Sequence, residues 1–478
     1  VTLKEKVITG LKWSAIAKLL VQLFSWISTF LVIRLLSPND YGLVAITSVI
    51  FTFISIFTVN GFVTALVKSQ NIKEQGSNQL FTLSFGIYIL FGICIAALAS
   101  NIANFYGKSE LELIIYAMAI ITPLNSFCII PTAALNISMN FKVKAICEAT
   151  AALGATFVAL YSAYSGAGYW ALIFALGVEL LVRSVLLNYM TKVKYRITLN
   201  FNDFNKIISF AGKIQLIELI WFTYNKLDAL IIGKFVGVQQ LGIYNVAVEI
   251  ASLPMTKISA ILNQVGFSAF SSLKEDLSAT RYYLEKALSL LSLAVFPIFL
   301  GISAVSHEIV LLFLGAQWSE AVAIIAIFAL VFPFRMLNAV IYNFVIAMDD
   351  AGFAIKNTVL ISVFVIVGIL IGVQFGLQAT AMAWLISFLL AFFIVIVRVK
   401  MKYKLKYSTV FCWLIPFIIS CLMWLIIYLV DLFLLTGDVS LVESLLVKIL
   451  VGGGVILFSY WLFYKDEIIS IVKKDKKS

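Results

Sequence analysis

Basic side chains set inside long apolar runs have the most chemistry open to them in this chain. Lys18, Arg34, Lys213, Lys226, Lys257 and Arg335 each fall within such a run. A cation that meets a phosphate, diphosphate or carboxylate there forms a charge-assisted hydrogen bond, strengthened by the low dielectric. A charge facing lipid at a helix centre costs roughly 2.5–3.5 kcal/mol on insertion scales, so these groups are expected to face water or a partner. Arg183 and Lys448 are basic residues of the same kind, and Glu148, Glu179, Glu218, Asp228 and Glu249 are the acidic counterparts. The balance inside the runs is therefore positive.

Spacing sorts these residues onto helix faces. Ser14, Lys18, Gln22, Ser25 and Thr29 recur at three- and four-residue intervals, which places them on one side of an α-helix. A later run repeats the pattern with Gln215, Glu218, Asn225 and Asp228, and the next with Asn245, Glu249, Ser252 and Thr256. Such stripes suit the lining of a polar cavity: Lys18, Arg34, Lys213, Lys226, Lys257 and Arg335 as cationic contacts, Glu218, Asp228 and Glu249 as acidic or ion-coupling positions, and Gln22, Ser25, Asn225 and Asn245 as neutral lining. The competing reading is structural. Interhelical hydrogen bonds average about 0.6 kcal/mol each, and lysines near span ends extend to the interface. Arg34, Lys213 and Lys448 lie near span ends and read as interfacial anchors, of which Arg34 and Lys213 are kept as candidates. Glu179 and Arg183, at i and i+4, read as a structural pair.

The elements that position these groups follow from composition. Of 478 residues, 62% are hydrophobic and 12% charged, too polar-poor for a soluble surface. The apolar material comes in runs of about 20 residues or more, long enough as helices to cross a hydrocarbon core of about 30 Å. The expected fold is all-α and polytopic. Fourteen spans are expected: 13–36, 42–67, 79–100, 111–137, 146–165, 168–190, 207–233, 241–270, 282–303, 319–347, 355–375, 377–397, 410–430 and 445–464. The first follows a basic start (Lys4, Lys6, Lys12) but has no small-residue cleavage site, so it is read as a retained helix.

Charge orients the spans. Basic residues collect in the termini and the even-numbered loops, for example Lys192, Lys194, Arg196 and Arg398 to Lys406, whereas the odd-numbered loops hold only Lys108 and Lys234. Both termini are therefore expected to be cytoplasmic. This topology also accounts for the net charge of +11 without nucleic acid. The five cysteines lack metal-ligand spacing and read as packing residues. No metal or other cofactor is implied.

The junction Leu31-Val-Ile-Arg-Leu-Leu-Ser-Pro-Asn-Asp-Tyr-Gly42 is echoed by Ile231-Ile-Gly-Lys-Phe-Val-Gly-Val-Gln-Gln-Leu-Gly242, at an offset of about 200 residues. Gly42 then aligns with Gly242, Val32 with Ile232, Lys18 with Glu218 and Ser25 with Asn225. Each half starts from the cytoplasm with an even helix count, which makes the halves parallel repeats with a cavity between them. Two six-helix lobes, residues 1–200 and 201–406, are expected, followed by two further helices and a basic tail over 407–478.

At these residues the chain resembles the polysaccharide transporter (Wzx-type flippase) family of the multidrug, oligosaccharidyl-lipid and polysaccharide exporter superfamily. Leu36-Ser-Pro-Asn-Asp-Tyr-Gly42 is similar to the family's first hairpin. Asp228-Ala-Leu-Ile-Ile-Gly-Lys234, Leu241-Gly-Ile-Tyr-Asn-Val-Ala247 with Pro254, and Leu312-Phe-Leu-Gly-Ala-Gln-Trp318 resemble its later signatures in order. The resemblance implies a flippase of the cytoplasmic membrane that carries an undecaprenyl-diphosphate-linked oligosaccharide, a repeat unit of O-antigen, exopolysaccharide or a related polymer, to the outer leaflet by alternating access. It implies membrane lipids, a polysaccharide polymerase and export machinery as partners, and a proton or sodium counter-ion. An exporter of cationic drugs or metabolites is the alternative within the superfamily, and the positive balance inside the spans argues against it. A glycan polymerase or glycosyltransferase would need a catalytic loop or a nucleotide site. The phosphate-cradling G-x-x-x-x-G-K-[ST] pattern does not occur, and the external loops are short.

Overall fold

The computed structural model describes residues 26–56, 74–138, 140–198, 225–272, 277–434 and 439–475, together with Gln215, Leu219, Phe222 and Thr223. Every regular element among the described residues is a helix. The chain divides into two compact units, Val1–Gly242 and Ile243–Ser478.

In the first unit, α1 (Trp26–Leu35) leads into α2 (Pro38–Ser55), followed by α3 (Glu74–Ala97), α4 (Ala99–Tyr106), α5 (Glu110–Ile121), α6 (Ser126–Ile137), α7 (Phe141–Tyr164) and α8 (Trp170–Thr191). A helical stretch over 225–235, α9, precedes α10 (Val238–Ser272), whose first five residues belong to this unit and the rest to the second. The first signature explains the α2 boundary. Ser37 is the N-cap, Pro38 occupies the first turn where its missing N–H is no loss, and Asp40 completes a capping box: its Oδ2 accepts from the Ser37 N–H at 2.9 Å while Ser37 Oγ accepts from the Asp40 N–H at 3.3 Å. Asp40 Oδ1 also accepts from the Tyr169 N–H at 3.0 Å, tying the start of α2 to the α7–α8 turn. Beneath this turn Val32, Leu36, Ala159, Ala163 and Ala171 form a buried cluster. Cys128 and Cys147 lie in a second cluster with Leu135 and Leu187, as packing residues.

The second unit contains α11 (Leu277–Ala304), the short α12 (Ser306–Ile309), α13 (Ala321–Ala347), α14 (Ala351–Gly372), α15 (Leu377–Tyr403), the short α16 (Tyr407–Phe411), α17 (Leu414–Phe433) and α18 (Leu441–Asp475). Its centre is aromatic. Phe296 of α11 meets Phe334 of α13 and Phe417 of α17 at 5.3 and 5.1 Å between ring centroids, and Phe328 of α13 meets Trp384 of α15 at 5.5 Å. Each such pair contributes about 0.5–1.5 kcal/mol beyond area burial. That matters here because lipid tails remove the ordinary hydrophobic drive between membrane helices.

Ten helices among the described residues are long and apolar enough to cross a membrane: Gly76–Ala97, Glu110–Ile137, Lys142–Tyr164, Trp170–Thr191, Thr280–Ala304, Ala321–Ala347, Ala351–Phe375, Leu377–Tyr403, Tyr407–Phe433 and Leu441–Phe463. They coincide with ten of the expected spans. The expected spans 13–36, 42–67 and 207–233 run into residues outside the described set, and α10 covers the expected 241–270. Large apolar side chains such as Ile120 (78%) and Leu450 (73%) stand exposed on the helices, as they do when the solvent is lipid. The protein is multi-pass and all-α.

One expected loop is structured. The connection between the expected spans 282–303 and 319–347 forms α12, a π-helical turn over Val310–Leu314 and a 3-10 turn over Ala316–Trp318. Val310, Leu314 and Trp318 are fully buried and hold it down. The signature Leu312 to Trp318 is therefore a packing motif.

Candidate functional site

The repeated junctions identified at an offset of 200 meet one another. A Cβ at Gly42 would lie 1.9 Å from the carbonyl oxygen of Val238, and a Cβ at Gly242 would lie 1.8 Å from the carbonyl oxygen of Pro38. Pro38 and Val238 are themselves separated by 200 residues, so the contact is reciprocal: each helix start presses its glycine against the first residue of the other. Only glycine permits that approach. Nearby, Gly233 of the Asp228–Lys234 signature lies under Leu241, Tyr106 and Ile46. Lys234 Nζ donates to the Phe105 carbonyl at 2.6 Å and sits 4.1 Å from the Phe105 ring centroid. Burial of Tyr106 raises its pKa above the usual phenol value.

Of the candidate site residues, Lys18, Gln22, Ser25, Lys213 and Glu218 lie outside the described residues. Arg34, Lys226, Lys257 and Glu249 are exposed, while Asn225, Asp228 and Asn245 are half-buried. Asp228 Oδ1 accepts from the Ala229 N–H at 2.8 Å. Arg335 is half-buried within α13 and its guanidinium lies over the rings of Trp384 and Phe332, at 5.2 and 5.6 Å from their centroids. Cation–π contacts of this kind contribute about 0.5–2 kcal/mol, which lets a cation sit beside aromatic packing.

Arg183 has a closer neighbour besides the one its spacing suggests. Its Nη2 donates to Asn125 Oδ1 at 2.9 Å, whereas Glu179 Oε1 is 3.9 Å from Nη1. The basic segment after α8 is also docked rather than free. The Arg196 N–H donates to Asn78 Oδ1 at 2.9 Å and the Thr198 N–H to Thr82 Oγ1 at 3.0 Å, so side chains of α3 satisfy an extended backbone. Tyr195 reaches Asn188 Oδ1 and the Phe127 carbonyl, with its ring 4.4 Å from that of Phe81. Burial raises the Tyr195 pKa.

The most buried ionic group among the described residues is one that sequence reading set aside. Lys448, read as an interfacial anchor, has a side chain only 4% exposed; its Nζ lies 2.6 Å from Glu308 Oε1 and 2.7 Å from Asp431 Oδ1. Ser444 Oγ donates to the same Glu308 oxygen at 2.8 Å. Glu308 is 2% exposed and its Oε2 has no partner among the described residues. α12 thus supplies a carboxylate, α17 a second one, and α18 the lysine and serine. The signal available in sequence was the i, i+4 pair Ser444 and Lys448 on one helix face. Glu308, in an apparent loop 140 residues away, gave no such signal. Beyond the spans, Asp350 pairs with Lys402 and accepts from the Tyr403 O–H at 3.1 Å; the Lys402 hydrogen bond holds its carboxyl below the usual range.

With the geometry in place, comparison with known proteins gives the family. A family profile described as polysaccharide biosynthesis protein matches residues 31–323. The chain belongs to that family. Among its relatives, the lipopolysaccharide biosynthesis protein WzxC of Escherichia coli (strain K12) is 24% identical over 366 residues, covering 74% of this chain and 73% of that one. The teichuronic acid biosynthesis protein TuaB of Bacillus subtilis (strain 168) is 24% identical, covering 70% of each. The succinoglycan biosynthesis transport protein ExoT of Rhizobium meliloti (strain 1021) is 22% identical, covering 69% and 67%. The Wzx-type resemblance drawn from the junction motifs is borne out. In fold, the chain is similar to the lipid II flippase MurJ in an inward closed conformation, with a TM-score of 0.77, 17% identity, 95% of this chain and all of that one covered. It is similar also to an inward-facing multidrug resistance MATE family transporter of the MOP superfamily, with a TM-score of 0.60, 15% identity, and 80% and 94% covered.

Proposed function

We propose that this family member flips an undecaprenyl-diphosphate-linked oligosaccharide, the repeat unit of a cell-surface polysaccharide, from the inner to the outer leaflet of the cytoplasmic membrane by alternating access. The observation that carries the reading is that relatives named for lipopolysaccharide, teichuronic acid and succinoglycan biosynthesis align along about seven-tenths of a multi-pass chain. One of them is named a transport protein. Transport of this kind needs no covalent step. With the cell interior negative, outward movement of two negative charges is favoured by about 5 kcal/mol per 100 mV, at about 2.3 kcal/mol per charge.

In this reading both termini are cytoplasmic, and residues 1–200, 201–406 and 407–478 form two six-helix lobes and a C-terminal helix pair. Arg34, Lys226, Lys257 and Arg335, with Lys18 and Lys213, meet the diphosphate. Asn225 and Asn245, with Gln22 and Ser25, meet the sugars. Glu218, Asp228 and Glu249 serve a proton or sodium counter-ion. Transfer of a fluorescent undecaprenyl-diphosphate oligosaccharide in proteoliposomes tests this, comparing wild type with Lys18→Ala, Lys226→Ala, Lys257→Ala and Arg335→Ala at matched reconstitution. Loss of transfer in one or more variants supports the cationic contacts. Wild-type rates in all four would return those side chains to structural roles. Export of a cationic dye, with no glycan transfer by the wild type, would favour a multidrug exporter instead.

A further inference from the structure

α11, α17 and α18 enclose two adjoining cavities that share Lys448 and Ile427. The larger is an open cleft with apolar walls in which Gly301, Gly452 and Gly453 take part. A Cβ added at Gly301 or Gly453 would meet nothing within 4 Å. Glycine at these two positions therefore keeps space open, although it costs about 1 kcal/mol relative to alanine inside a helix. Gly452 differs, since its Cβ would meet Ile427 Cδ1 at 2.9 Å. Ile298, Ile449 and Leu457 form an exposed apolar rim.

The smaller is polar at one end, where Ser303, Trp424, Tyr428, Asp431 and Lys448 line it. Trp424, Tyr428 and Asp431 recur at i, i+4 and i+7 on one face of α17. The two rings stack at 5.8 Å with 3° between their planes. The buried Trp424 indole N–H has no acceptor among the described residues. Lys448 carries one positive charge against Asp431 in the lining and the buried Glu308 outside it, so the cluster at this end has a net charge of about −1. Asp431 is half exposed and gives one oxygen, Oδ1, to the lysine.

An elongated apolar cleft ending in aromatic faces and excess negative charge has the shape and sign for an ammonium-headed amphiphile. Ring faces attract cations, and an ammonium N–H bonds strongly to a carboxylate. A headgroup with net negative charge meets repulsion there. We propose that this cleft holds a glycerophospholipid with an ethanolamine headgroup, its ammonium against Asp431 and the Trp424–Tyr428 rings, its phosphate near the indole N–H, and one acyl chain along Gly301 and Gly453. The lipid is not the transported glycan, and the inference does not depend on the transport reading.

The test uses the full chain in nanodiscs of equimolar phosphatidylethanolamine and phosphatidylglycerol, with retained lipid counted by native mass spectrometry after transfer to detergent. Wild type is expected to retain roughly fivefold more of the ethanolamine lipid, the discrimination that one cation–π and carboxylate contact supplies. Asp431→Asn should level the two lipids while keeping total retention. Gly453→Leu should fill the cleft and bring both to background with an unchanged melting temperature, and Gly301→Leu gives the same reading from the opposite wall should Gly453→Leu fold poorly. Equal retention of both lipids by wild type, an undiminished preference in Asp431→Asn, or full retention in both filled variants would overturn the proposal.

Discussion

At the Gly42–Gly242 junction two helix starts touch chiefly through backbone carbonyls, whereas in the second unit Lys448 is shared between carboxylates from two other elements. Both hold helices at close quarters inside a low-dielectric surrounding, but they fail differently. A backbone contact has no second side chain to adjust, so any added atom displaces a helix. An ionic contact consists of partners that can be neutralised together, because the cost lies in leaving one charge behind. The first is a geometric constraint and the second an electrostatic one, and substitutions can separate them.

Lys448→Met should give the largest effect, about 3–5 kcal/mol of destabilisation, because Glu308 stays buried without its counter-charge. Thermal unfolding in detergent reads this, and Glu308→Gln in the same chain should recover much of the loss. Failure of the second substitution to rescue would mean that packing, and not charge, dominates. Gly42→Ala and Gly242→Ala should each cost about 3 kcal/mol, the upper end of ordinary overpacking, since the nearest obstructing atoms are backbone carbonyl oxygens. Gly301→Ala, which meets open space inside a helix, should instead stabilise by up to about 1 kcal/mol as a control.

Tyr195→Phe probes a smaller polar contact and should cost about 1 kcal/mol, since it removes a hydroxyl bound to Asn188 and Phe127 while leaving the ring against Phe81. Asp350→Asn should cost less than about 1 kcal/mol at neutral pH, as both Asp350 and Lys402 retain contact with solvent. Its sign with pH is defined. The folded carboxyl is held below its ordinary value, so its stabilisation is present above about pH 4 and fades as pH falls through the folded value. Wild-type and variant melting temperatures should differ at pH 7 and converge on acidification; a gap that persists at low pH would assign the effect to packing.

Much of the helix layout was legible in the chain because a span has to satisfy its own backbone and present apolar side chains over a fixed length, both local requirements. The capping box at Ser37 to Asp40 starts α2 at Pro38 and not at the expected 42, although its signal is local, within four consecutive residues. The repeat was visible too, as glycines aligned at one offset. The sites were harder to read. Arg183 pairs with Glu179 one turn away, as its spacing suggests, and also bonds to Asn125, 58 residues distant, which no local pattern records. Arg335 offered no sign in sequence that its neighbours would be the rings of Trp384 and Phe332.

The sequence by itself determined that this chain lives in a membrane, that it is helical, and where its helix junctions lie, since hydrophobic length, capping chemistry and close-packing glycines are written into neighbouring residues. Tertiary structure alone decided that Glu308 leaves an apparent loop to meet Lys448 and Asp431, and that Gly301 and Gly453 keep a cleft open beside them. Burying a charge demands a partner wherever the fold can supply one, and nothing local in the chain records from how far away that partner comes.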